Sequence, residues 1–255
     1  AAKRGDLAQI GTVLSRGVAV DVVDRDGWTA LMFAASGGQR EATRLLLERG
    51  ANAKWRSTGG DSALQLAAAY PDPRLAEALL DAGAEVDATG GSGETALMRA
   101  AVRGNSDVVR ALLARGADPD RVDRSGSTAL IVASLEGHQS VVRELLAKKA
   151  DTEVRRRDGA TALVIAAKQG RASVVSALVK GRADVNASGS DGVTALIYAV
   201  RNGDRDQVDE LIDAGADPNR RTAGGETALH VAARKGDPEI ALRLVDAGGD
   251  RERTN

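Results

Sequence analysis

The 255-residue chain contains no cysteine, so disulfide bridges, thiol catalysis and thiolate metal sites are excluded at once. Its two histidines, His138 and His230, are too few for an all-protein zinc centre. Aromatic residues make up 2% of the chain, too little bulk for a thick globular core, and this points to thin, closely stacked layers of Ala, Val and Leu. Neither sign of charge is in excess. The 35 basic and 36 acidic residues leave a net charge of −1, which speaks against a generally basic nucleic-acid binder and against a highly acidic disordered chain. There is no apolar run of roughly eighteen residues, so the sequence predicts no transmembrane helix, and the N-terminus carries no signal-peptide core. A soluble protein is expected, in the cytoplasm rather than exported, although lack of cysteine by itself suits either redox compartment.

What the chain does contain is repetition. Thr/Ser-Ala-Leu occurs at Thr29, Ser62, Thr95, Thr128, Thr161, Thr194 and Thr227, always 33 residues apart. A glycine stands two residues ahead of each (Gly27, Gly60, Gly93, Gly126, Gly159, Gly192, Gly225), and an alanine five residues after each (Ala34, Ala67, Ala100, Ala133, Ala166, Ala199, Ala232). Such self-similarity makes the repeat the structural unit. In the stretch from Gly93 to Asp120, Thr95 suits a helix N-cap, and Leu97, Ala100 and Ala101 form a narrow inward stripe. Gly104 then breaks that first helix. Val108, Val109, Leu112 and Leu113 make the buried face of a second helix, which Gly116 ends in a left-handed conformation. The residues from Ala117 lead into an extended finger.

These residues resemble the ankyrin repeat over the whole chain, with one uniform departure. The proline expected after the capping Thr is Ala at residues 30, 63, 96, 129, 162, 195 and 228, which gives up a preset φ but keeps the best helix former. The predicted fold is an all-α repeat solenoid of stacked helix-turn-helix units of 33 residues with short β-hairpin-like fingers. Residues 1–255 read as a single domain: a partial repeat over 1–23, then repeats over 24–56, 57–89, 90–122, 123–155, 156–188, 189–221 and 222–254. Because Ala1 aligns with Ala34 and "GGDRERTN" opens a finger that is never completed, a piece of a longer polypeptide, with any catalytic or effector domain outside these residues, is the alternative expectation.

Departures from the period single out particular residues. Lys149 and Arg182 replace the helix-ending glycine and must either accept φ > 0 or alter the turn. Tyr70 to Arg74 replaces the glycine turn between helices by one stiffened with Pro71 and Pro73. Arg99 stands where the other repeats carry Phe33, Leu66, Val132, Ile165, Tyr198 and Val231, so it either lines the binding groove or is accommodated beside a carboxylate. The resemblance implies structural roles for His138 and His230, and no nucleophile stands at a useful spacing from either. No phosphate-binding loop or dinucleotide motif is present, so the chain reads as not an enzyme, with no cofactor and no metal.

The resemblance further implies that ligands lie on a concave face formed by the fingers and the exposed side of the first helices. By register that face carries thirteen basic and seven acidic residues, so it should be positive and the opposite surface negative. The candidate partner-binding residues are Arg25, Trp28, Arg56, Tyr70, Arg103, Arg124, Arg157, Lys168 and Arg201. Trp28, Tyr70, Arg56 and Arg103 are the favoured anchors, against the plainer alternative that Trp28 covers a finger and Tyr70 packs on the prolines. Phe33 is expected in the core, and Trp55 should point away from the face. The function so read is a monomeric protein–protein interaction scaffold whose partner presents an acidic segment. A nucleic-acid binder is disfavoured because repeated stacking aromatics are missing.

Overall fold

The computed structural model describes residues 1–250, and the chain divides into two compact units, Ala1–Arg124 and the residues from Ser125 onward. The unfinished finger expected at the C-terminus lies, from residue 251, outside the described residues. Unit 1 holds a 3₁₀ turn, Ala2–Arg4, followed by α1 (Leu7–Ser15), α2 (Ala30–Ser36), α3 (Arg40–Glu48), α4 (Ala63–Ala67), α5 (Pro73–Asp81), α6 (Ala96–Val102) and α7 (Ser106–Ala114). Unit 2 holds α8 (Ala129–Glu136), α9 (Gln139–Ala147), α10 (Ala162–Lys168), α11 (Ala172–Lys180), α12 (Ala195–Asn202), α13 (Arg205–Asp213), α14 (Ala228–Lys235) and α15 (Pro238–Asp246). The only pairings of extended chain among the described residues are isolated antiparallel bridges, Val23 with Thr29, Arg56 with Ser62 and Ser188 with Thr194, which close fingers at their base. The fold is therefore the all-α repeat solenoid that the period predicts.

Each first helix starts for the reason read from the sequence. The side chains of Thr29, Ser62, Thr95, Thr128, Thr161, Thr194 and Thr227 each accept a hydrogen bond from the backbone N–H three residues on, at 3.2 Å for Met32 and 3.3 Å for Met98. A cap of this kind stabilises a helix start by about 1 kcal/mol, which matters for helices this short. At the end of the chain His230 completes the reciprocal bond, its ring Nδ1 accepting from the Thr227 N–H at 3.2 Å. In the third repeat α4 ends early, and α5 restarts on Pro73 with Asp72 accepting from Arg74 N–H at 3.0 Å.

Small residues on the first helices and aliphatic residues on the second make the core. Ala100, Ala101, Val108, Val109 and Leu112 are fully buried, as are Ala166, Ala167, Val174, Val175 and Leu178. Each large aliphatic side chain so buried contributes about 1.5–3 kcal/mol.

Consecutive fingers are stitched by single backbone rungs: Thr58 N–H donates to Asp26 O (3.0 Å) and Arg124 N–H to Ser92 O (3.0 Å) in unit 1. Unit 2 has Arg157 to Ser125 (3.0 Å), Ser190 to Asp158 (2.9 Å) and Ala223 to Asp191 (2.7 Å). Among the described residues one seam lacks its rung, that between the fingers at 57–62 and 90–95. There a Cβ on Gly91 would sit 2.6 Å from Gly59 O, so the close approach requires glycine.

The helix ends show where the pattern is strained. Gly50, Gly83 and Gly116 close the second helices of unit 1 with φ of 83°, 87° and 85°. Lys149 and Arg182 take the same left-handed conformation in unit 2, with φ of 61° and 64°, so the turn is kept and the side chain strained instead.

Candidate functional site

The residues singled out for binding lie on fingers, on first helices or in the turns after them, and within each unit the structure divides them by what they already touch. In unit 1 the rungless seam uses several of them. Arg56 donates from Nη1 to Thr89 O at 2.6 Å and lies 3.5 Å from the Glu85 carboxylate. Arg99, only a quarter exposed, holds Asp61 at 2.5 Å and lies 3.5 Å from Glu94, while Gln65 Nε2 donates to Glu94 O at 2.6 Å. Side chains of Gln65 and Arg99 thus bridge the seam without a rung; Arg99 is accommodated beside carboxylates and also lines a surface cavity with Tyr70 and Arg103.

The unit 1 aromatics are also occupied. The Tyr70 hydroxyl donates to Ser36 O at 2.5 Å, and its ring covers the turn at Gly38. Trp28 and Phe33 pack ring to ring at 5.2 Å and 47°. Both line an apolar cavity of about 550 Å³ with Ile10, Val13, Leu14 and Val23, so Phe33 is half-buried rather than in the core as expected. Trp55 turns back to donate from Nε1 to Gly27 O at 3.1 Å.

Five of the candidate cations remain without such ties. Arg25, Arg103 and Arg124 in unit 1, and Arg157 and Lys168 in unit 2, are exposed and make no side-chain hydrogen bond or ion pair among the described residues. Four of the seven carboxylates of the same face are neutralised within the chain. Asp61 and Glu94 are held by Arg99, Asp158 by Arg156, and Glu226 by Arg201 and Arg234. The hydrogen bond from Arg156 holds the Asp158 carboxyl below the usual carboxylate range.

One side chain of this face was passed over as a binding residue by sequence reasoning. Tyr198 on α12 is half-buried, with Lys168 Nζ 6.0 Å and the Arg201 guanidinium 5.6 Å from the ring centre. Its hydroxyl has no hydrogen-bond partner among the described residues. Burial raises the Tyr198 phenol above its ordinary value, and the carboxylates of Asp191 and Asp158 add to this against Arg201, so the group stays a neutral donor. Beside it lies a cavity of about 220 Å³ lined by the polar side chains of Arg156, Asp158, Lys168, Gln169, Ser190 and Asp191 together with Leu135, Ala160, Val164 and Ile165. The signal was present in the register: Ala160 occupies the finger position held elsewhere by Trp28, Asp61, Glu94, Ser127, Val193 and Glu226.

Among the described residues no helix is long and apolar enough to cross a membrane, and no cluster of three potential metal ligands occurs. His230 serves the cap described above, its ring Nδ1 lying 2.7 Å from the Thr227 hydroxyl.

Comparison with known proteins agrees with the period. The model of the family "Ankyrin repeats (3 copies)" matches residues 1–90, 66–158 and 148–222, and that of "Ankyrin repeats (many copies)" matches residues 206–245. Curated relatives include the ankyrin repeat, SAM and basic leucine zipper domain-containing protein 1 of Carollia perspicillata, 47% identical over 51 residues. The protein of the same name from Nomascus leucogenys is 45% identical over 51 residues. These alignments cover 20% of this chain and 11% of each relative.

Proposed function

The chain belongs to the ankyrin-repeat family, and on that premise we propose that it is a non-catalytic scaffold that holds an acidic segment of another protein. Ankyrin repeats are in general protein–protein interaction modules, and function on such a scaffold resides in its variable surface rather than in the fold. The observation that carries the acidic reading is the set of exposed cations, Arg25, Arg103 and Arg124 in unit 1 and Arg157 and Lys168 in unit 2, that make no side-chain hydrogen bond or ion pair among the described residues, while four of the seven carboxylates on the fingers and first helices are paired internally. Such a face attracts an anionic segment at long range and fixes its register at short range.

A labelled poly-glutamate peptide is a direct probe. Its affinity, read by fluorescence anisotropy, is expected to fall as salt rises. It should fall further in an Arg103→Glu, Arg124→Glu double variant and in an Arg157→Glu, Lys168→Glu double variant. Binding indifferent to salt and to both reversals would sink the reading. Tighter, equally salt-sensitive binding of a poly-thymidine oligonucleotide would move it to nucleic acid instead. A monomer is expected, with a light-scattering mass independent of concentration.

A further inference from the structure

We propose that the apolar cavity beside Trp28 and Phe33 in unit 1 takes a short apolar stretch of the partner's acidic segment. The proposal rests on the acidic-partner reading and adds what charge alone does not give, a fixed point of attachment.

The cavity lies where a position that is closed in every other repeat stands open. Val13 on α1 is 40% exposed, whereas its counterparts from Leu46 to Leu244, one every 33 residues, are each at most 1% exposed. Val18 after that helix, and Val22 and Val23 at the base of the first finger, are exposed as well and wall the same cavity. Four of the nine large apolar side chains exposed among the described residues thus meet at one place. A contiguous apolar patch of this kind marks a surface that another molecule covers. At about 550 Å³ the cavity falls within the roughly 300–1,000 Å³ of ligand sites, and one side chain does not fill it.

The polar groups of the wall select what enters. Apart from Lys3 and Asp24 the lining side chains are aliphatic or aromatic, so burying a polar group there is penalised. The Asp24 carboxylate is engaged, accepting from the backbone N–H groups of Asp26 and Trp28, both at 2.9 Å. Two donors make no side-chain hydrogen bond or ion pair among the described residues, the Lys3 ammonium and the Trp28 indole N–H. Separate donors favour a peptide, which carries an acceptor at every residue, over a lipid chain, which carries acceptors at one end. Arg25, three residues before Trp28 on the same finger, is one of the exposed cations of the acidic reading and stands ready for the carboxylates that flank the apolar stretch. The occupant is thus a segment with adjacent apolar residues set among acidic ones.

The test uses two peptides without tryptophan, alike in their glutamates and differing only in a central Leu-Leu or Ser-Ser pair. The full chain carries Trp55→Phe, which leaves Trp28 as its one tryptophan. The Leu peptide is expected to bind about tenfold or more tightly than the Ser peptide. It should also move Trp28 emission to shorter wavelength, while the Ser peptide leaves it in place. A Val13→Ser, Val22→Ser double variant, altered at two exposed positions, should reduce the Leu peptide to the affinity of the Ser peptide and leave the latter unchanged. Lys3→Glu should weaken the Leu peptide more than the Ser peptide. Equal affinity for the two peptides, or a preference with no movement of Trp28 emission, overturns the cavity as anchor while leaving the acidic reading standing. The Trp28 signal needs no substitution in the cavity, so it decides even if the double variant does not fold. A shift produced by dodecanoate below its micellar concentration, and not by the Leu peptide, would overturn the protein segment in favour of a lipid chain. Failure of both peptides to bind at low salt overturns the two readings together.

Discussion

Trp28 in unit 1 and Ala160 in unit 2 hold the same place in the repeat, and the contrast between them extends to the units around them. Unit 1 satisfies its conspicuous side chains internally. Trp28 meets Phe33, Tyr70 meets Ser36, Arg56 meets Thr89, and Arg99 meets Asp61 and Glu94. Its second helices all end on glycine. Each unit holds a cavity, an apolar one beside Trp28 and Phe33 and a more polar one beside Tyr198, but unit 2 carries at Lys149 and Arg182 a strain that unit 1 avoids. Both units bury polar atoms without a hydrogen-bond partner, Thr43 Oγ1 and Arg99 Nε in unit 1 and, in unit 2, the side-chain oxygen of Gln207, at a position that is Ala42, Leu75, Val108, Val141, Val174 or Ile240 in other repeats. Aromatic and arginine content therefore does not mark a binding surface by itself.

The largest effect expected from disturbing this contrast is at Arg99. Arg99→Ala leaves Asp61 and Glu94 unpaired at the seam without a rung and should destabilise unit 1 by about 2–3 kcal/mol in urea unfolding. Affinity for an acidic peptide should not change; a loss of affinity in the folded variant would return Arg99 to the groove. Next is Gln207→Val, expected to stabilise unit 2 by about 1–2 kcal/mol because it removes a buried acceptor without a partner. Hydrogen exchange should show the added protection in unit 2 amides, and a destabilised variant would contradict the assignment. Lys149→Gly and Arg182→Gly should each add about 1 kcal/mol by relieving the left-handed conformation. Substituting Gly116 by Lys should do the reverse in unit 1. The smallest change is Tyr70→Phe, which removes one hydrogen bond to Ser36 and should cost about 1 kcal/mol or less of unit 1 stability. If it weakened peptide binding instead, Tyr70 would be an anchor after all.

The architecture was legible because it repeats. A Thr that caps a helix does so by a bond to a residue three places away, so its role is written locally, and seven copies make the reading secure. The strain at Lys149 and Arg182 was legible for the same reason, since it follows from one backbone angle. The state of the binding face was not local. Whether Arg56 is available depends on a carbonyl 33 residues away, as Arg155 depends on Ser188 O, and Arg99 answers to a carboxylate 38 residues back.

The finger rungs have a mechanical corollary. Repeat arrays are joined neighbour to neighbour, so tension along the chain would be carried from one 33-residue link to the next. Each link that lets go would add roughly 110 Å of slack, given the reach of an extended chain. Most links close with a backbone bond that ions do not screen, whereas the one joining the fingers at 57–62 and 90–95 closes with Arg56, Gln65 and Arg99. Under load, that joint is where rising salt would lower the breaking force.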